Sequence, residues 1–171
     1  MTHISNKKFA LDTNILVYLL NNASSFYDQA RLAVLKTEKQ KIQLVVCQQN
    51  LVELVRVLTD YYQYNLIQAV NQVNKLMETN IQVVTPLTST INTYLELCRK
   101  ADGKARRHFD LYLAATLIDN KIETLITNDK SGFKGIKKLK VIDLLDIGEK
   151  NDLRNLSKIH SALKRTRKLS T

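Results

Sequence analysis

Chain-breaking and cross-linking residues are scarce here. The 171 residues include one proline, four glycines, two cysteines and no tryptophan. So few breakers fit helices joined by short connections better than an all-β architecture, in which each hairpin needs its own turn residues. Cys47 and Cys98 are too few and too far apart for a disulfide framework or a zinc site, and are expected as reduced thiols of an intracellular protein. No apolar run approaches the roughly 20 residues that span a bilayer. The stretch Met1–Lys8 lacks an apolar signal core, so a cytoplasmic protein with no membrane segment is expected. Acids are short as well: 16 Asp and Glu stand against 26 Lys and Arg, a formal net charge of +10. That excess favours a polyanionic partner, through neutralised phosphates and released counterions, with nucleic acid ahead of an acidic membrane surface.

What is present is ordinary in bulk. Apolar residues make up 44% and charged residues 25%, values of a globular domain with a proper core. Short β-prone runs alternate with helical spacing. Phe9–Leu11, Ile42–Cys47, Ile81–Val84, Thr124–Thr127 and Lys140–Leu144 read as strands. Helices are expected from the residues after Asp12, over Ser25–Lys41, Gln49–Tyr62, Leu66–Met77, Thr90–Lys100 and Phe109–Asn120. Alternation of this kind predicts an α/β layer architecture with a largely parallel central sheet of four or five short strands, whose ligands lie beyond the carboxyl ends of the strands. From Glu149 the character changes. Leu153, Leu156, Ile159 and Leu163 can line a helix, and Lys164-Arg-Thr-Arg-Lys168 is a basic end. The division expected is therefore a domain over residues 1–148 and a basic extension over 149–171.

Four carboxylates stand out against this frame. Asp12 follows the first strand in Leu11-Asp-Thr-Asn14; all three polar residues are good helix N-caps, so capping alone would account for it. Glu53 lies mid-helix among Gln49, Asn50, Arg56 and Asp60, where an exposed i,i+3 pair with Arg56 would suffice. Asp110 differs, because its helical neighbours Leu113, Ala114 and Leu117 are apolar. A carboxylate on that stripe is costly to keep ionised without a cation nearby. Asp129 falls in a turn just past Thr127-Asn128. If these acids converge, their repulsion calls for divalent cations, and hard oxygen ligands suit Mg²⁺ or Mn²⁺. One or two such ions can activate water for in-line attack on a phosphodiester.

Leu11-Asp-Thr-Asn14, Gln49-Asn-Leu-Val-Glu53, His108-Phe-Asp-Leu-Tyr-Leu-Ala-Ala115 and Ile126-Thr-Asn-Asp129 with Phe133, in this order and separation, resemble the PIN-domain nucleases, and within them the VapC-type toxins of bacterial toxin–antitoxin pairs. The resemblance runs from about Phe9 to Leu145. It implies a PIN-like three-layer α/β/α fold and a metal-dependent endoribonuclease. Asp12, Glu53, Asp110 and Asp129 would form the acidic cluster, with Asp12, Asp110 and Asp129 as metal ligands and Glu53 orienting the attacking water. Asn14 and Thr127 would hydrogen-bond the carboxylates. RNA as substrate, a homodimer and an antitoxin partner follow from the same likeness. Lys130-Ser131-Gly132 departs from it, standing where many relatives carry a further acid.

Bases flank the acids closely. Lys100, Lys104, Arg106 and Arg107 precede Asp110, and Lys130, Lys134, Lys137 and Lys138 follow Asp129. Of these, Lys104, Arg106, Arg107, Lys130 and Lys134 are the expected phosphate grips. Tyr61, Tyr62 and Tyr64 are expected to close the core at the end of a helix, ahead of stacking on bases. Two rival readings remain. One is a non-cleaving PIN-like module that grips RNA or protein. The other is a haloacid dehalogenase-type phosphatase, whose nucleophile motif usually has a second acid where this chain has Asn14.

Overall fold

Alternation within short strands sorts the apolar residues onto two faces, and that sorting dictates the layers. The computed structural model describes residues 7–101 and 107–147. The expected phosphate grips Lys104 and Arg106, and the extension over 149–171, lie outside them. Five strands, β1 (Lys8–Leu11), β2 (Gln43–Cys47), β3 (Gln82–Val84), β4 (Thr124–Thr127) and β5 (Lys140–Asp143), form one sheet in the order β3-β2-β1-β4-β5. Every pairing is parallel. Leu11, Leu44, Val46 and Ile126 point to one face, where α1 (Thr13–Leu20), α2 (Tyr27–Lys39), α3 (Gln48–Asp60) and α4 (Leu66–Met77) bury Ile15, Leu16, Ala30, Ala33, Leu54 and Leu58 against them. Ala10, Val45, Cys47 and Leu125 point to the other, under α5 (Thr90–Lys100) and α6 (His108–Asp119). The result is the expected three-layer α/β/α sandwich.

The elements match the sequence reading closely, with ends trimmed for local reasons. The second helix stops at Lys39 because Lys41 takes a positive φ of 54°, which turns the chain into β2. The third stops at Asp60, and Gln63 at φ 57° folds the chain back so that the Tyr64 N–H reaches Leu58 O at 3.1 Å. This corrects the tyrosine expectation: Tyr64 packs on the core, whereas Tyr61 is 73% exposed and Tyr62 also faces solvent. Helix α6 is apolar almost all round since it is wedged between sheet and α5. Its Asp119 accepts hydrogen bonds from Ser89 and Thr93 at the start of α5, both at 2.8 Å.

The strand order fixes where a site can form. From β1 the chain winds outward to β2 and β3, then returns to lay β4 and β5 on the other side of β1. The crevice beyond the carboxyl ends of β1 and β4 is therefore the topological switch point.

Candidate functional site

Asp12 leaves the sheet at the end of β1 and is the N-cap of α1. Its Oδ1 accepts the Thr13 N–H at 2.7 Å. Its Oδ2 accepts from Thr127 Oγ1 at 2.6 Å and from Asn14 Nδ2 at 3.0 Å. The cap and the contacts to Thr127 and Asn14 are thus one arrangement. Leu11 and Ile126 pair in register on β1 and β4, so the next residues, Asp12 and Thr127, emerge side by side. Asn14 Oδ1 in turn accepts the Asn128 N–H at 3.3 Å, and the Thr127 hydroxyl accepts the Asp129 N–H at 3.0 Å.

Glu53 turns inward. Its Oε2 accepts from Thr13 Oγ1 at 2.7 Å, and that hydroxyl accepts from Asn50 Nδ2 at 2.9 Å. Among the described residues no ion pair joins Glu53 to Arg56, so the expected surface pair is replaced by a buried relay. Asn50 is fully buried, and its Oδ1 takes the Cys47 N–H at 3.1 Å where α3 begins. Thr13 and Asn50, which support Glu53, were passed over as site residues in the sequence. The signal was there in Asn50, a polar side chain on the stripe of Leu51, Leu54 and Leu58.

Asp110 sits in the first turn of α6, half-buried, as its apolar neighbours imply. Asp129 caps the 3-10 turn Lys130–Phe133, with Oδ1 accepting from Ser131 N at 3.0 Å and from Ser131 Oγ at 2.5 Å. The four acids feel one another. Burial pushes Asp12 up from the ordinary 3.8 to about 6, with the charges of Glu53 and Asp110 adding to it and the bonds from Thr127 and Thr13 opposing. Asp110 is raised too, by burial first, then by Asp129 and Glu53, while Arg107 pulls the other way. One electrostatic cluster at the switch-point crevice contains all four. Burial, helped by the Asp12 charge, lifts the Cys47 thiol to about 12, which keeps it protonated and inert.

The bases divide. Lys134 is exposed, free to meet a phosphate. Lys130 is held by Asp146 at 2.8 Å and Asp143 at 3.5 Å, which tie its turn to the end of β5. Arg107 donates from Nε to Gly132 O at 2.8 Å and from Nη2 to both Gly132 O and Lys134 O, the latter at 3.0 Å. Two of its three guanidinium nitrogens thus donate to protein carbonyls.

A family model described as PIN domain matches residues 9–139. The chain belongs to the PIN domain family. No curated protein matches the sequence. Solved structures share the fold. VapBC-1 from nontypeable Haemophilus influenzae aligns at 22% identity over 81% of this chain and 98% of the other, with a TM-score of 0.64. A toxin–antitoxin complex from Klebsiella pneumoniae gives 19% identity, 79% and 96% coverage and a TM-score of 0.55. Mycobacterium tuberculosis VapC20, described as a sarcin-ricin loop cleaving toxin, gives 15%, 74%, 95% and 0.56. Membership sets aside the haloacid dehalogenase alternative, which needs a different fold. Among the described residues of this PIN domain, no three His, Cys, Asp or Glu side chains are grouped closely enough to hold a metal ion by themselves. The donors are hard oxygens, and the ionised forms of Asp12 and Asp110 lack enough positive charge around them. A bound divalent cation would supply what they lack.

Proposed function

We propose that this PIN domain is a divalent-metal-dependent endoribonuclease that hydrolyses RNA phosphodiester bonds, and that it is the toxin of a toxin–antitoxin pair. One observation carries the reading: Asp12, Glu53, Asp110 and Asp129 share one electrostatic cluster at the switch point, where burial and mutual repulsion hold Asp12 and Asp110 above their ordinary range. A group of acids set in a chain of net charge +10 suits metal ions at the acids and phosphates as the larger ligand.

When bound, one or two Mg²⁺ or Mn²⁺ ions would activate water and stabilise the leaving oxygen. Asp12 and Asp110 would hold them directly, with Asp129 bound directly or through water. Glu53, steadied by Thr13, would orient the attacking water and take its proton. Asn14 and Thr127 pin Oδ2 of Asp12, leaving a defined lone-pair direction open. Lys134, with Lys104 and Arg106 outside the described residues, would grip phosphates on either side of the scissile bond.

A time course on defined single-stranded and structured RNAs tests this. Cleavage should require Mg²⁺ or Mn²⁺, stop with EDTA and vanish in a folded Asp12→Asn variant. Salt-sensitive RNA binding without cleavage would instead establish the non-cleaving module. The Klebsiella pneumoniae neighbour is a toxin–antitoxin complex. By that likeness a small antitoxin should copurify from the native operon, the toxin should form a homodimer, and its expression alone should arrest growth from within the cytoplasm. Growth unaffected by overexpression would count against a toxin.

A further inference from the structure

The 3-10 turn Lys130–Phe133 touches two of the four acids. Ser131 holds Asp129 through its N–H and its hydroxyl. Gly132 faces Asp110 so closely that a Cβ built on it would lie 2.5 Å from Oδ2 and 2.9 Å from Cγ of that carboxylate. Real Cβ atoms do not approach so near, so a side chain at the buried Gly132 would push the Asp110 carboxylate aside. On the other side, Arg107 grips the turn through Gly132 O and Lys134 O. Arg107 stands three residues before Asp110 at the mouth of α6. A covalently short path therefore joins the latch, the turn and the carboxylate: Arg107 holds Gly132, and Gly132 limits where Asp110 can lie.

We propose that the Lys130–Phe133 turn is a brace setting the separation of Asp110 and Asp129, that Arg107 is its latch, and that both Gly132 and Arg107 are positioning residues and not substrate contacts. This assigns Arg107 a different task from the phosphate grip expected of an arginine at that place. The planar fork suits the task, since Nε and Nη2 meet two carbonyls, Gly132 O and Lys134 O, in a fixed geometry that a lysine ammonium on a flexible stem does not hold. The proposal rests on Asp110 and Asp129 serving the ion, as proposed above. Loss of such supports costs about 10–100-fold in metal affinity.

Mn²⁺ binding followed by electron paramagnetic resonance gives a readout independent of cleavage. Gly132→Ala and Arg107→Gln should each weaken Mn²⁺ binding about 10–100-fold, and Arg107→Lys should recover only part of the loss. Because both act on one brace, the double variant should bind little worse than the poorer single variant. RNA affinity without metal should stay within about twofold for Arg107→Gln, whereas loss of one phosphate contact would also flatten the salt dependence by about one unit of slope. Wild-type Mn²⁺ affinity in Gly132→Ala, multiplying losses in the double variant, or a reduced salt slope in Arg107→Gln would overturn the proposal. Should Gly132→Ala fail to fold, the two Arg107 variants decide the matter by the same measurements. Normal Mn²⁺ binding by a wild-type protein that cuts no RNA would sink the nuclease reading and leave the brace standing.

Discussion

Asp12 carries its charge at a cost, and that cost has a sign. With its carboxyl raised from 3.8 to about 6 in the folded chain, the metal-free protein binds that proton more tightly folded than unfolded. The resulting stabilisation is present in full below about pH 4 and is lost as pH rises through about 6. A bound cation favours the opposite, ionised form. The thermal shift produced by Mg²⁺ should accordingly be larger at about pH 7.5 than at about pH 5, because proton and ion compete for the same oxygens. Equal shifts at both would remove Asp12 from the metal site. Thr13 offers a second test. Thr13→Val leaves Glu53 Oε2 and Asn50 Nδ2 without the hydroxyl between them. Denaturant unfolding should show a loss of about 1–3 kcal/mol. Single-turnover cleavage should slow while RNA affinity holds. An unchanged rate would show that Glu53 needs no such support. At this scale the sequence announced the acids and two of their supports. Asp12, Asp110 and Asp129 were visible from strand ends and a broken apolar stripe, and the family resemblance made Glu53, Asn14 and Thr127 visible, the last two bonded to Asp12 as expected. The Gly132 contact and the Arg107 grip were not, since both depend on how a turn folds over a helix distant in sequence.

Helices and strands were legible because the alternation is clean. Leu125 and Ile126 face opposite layers and are both fully buried, so β4 could hardly read as anything but a central strand. Leu125→Ala removes packing beneath α6 and should cost about 2–5 kcal/mol in chemical denaturation. A loss under about 1 kcal/mol would mean that the layer collapses to fill the void. The misread element was the end of α3. Tyrosines after a helix normally look like core closers, but the positive φ of Gln63 lets only Tyr64 return to the apolar cluster. A residue of ordinary type adopting that conformation leaves no mark in the sequence. The same holds for Glu53, whose surface partner Arg56 was plainly spelled out while the buried hydroxyl of Thr13, forty positions away, was not.

The whole chain carries a net charge of +10 although four of its acids influence one another at the end of the sheet. Cleavage at subsaturating RNA should fall steeply between about 50 and 200 mM salt, with the logarithm of kcat/KM linear in that of salt concentration, if several phosphates are neutralised on binding. A flat profile would mean that the basic surface serves some other partner. The sheet itself has a consequence for how such a protein can change. Asp12 and Thr127 meet only because β1 and β4 are in step at Leu11 and Ile126. Sliding one strand by a single residue would swing Thr127 to the opposite face and strand its apolar neighbours in the wrong layer. The alignment is therefore policed by the hydrophobic layers, with no contribution required from the surface. Nearly every outward position is released to drift, which is how this architecture can be shared with the Haemophilus influenzae protein although fewer than a quarter of the aligned residues, 22%, coincide.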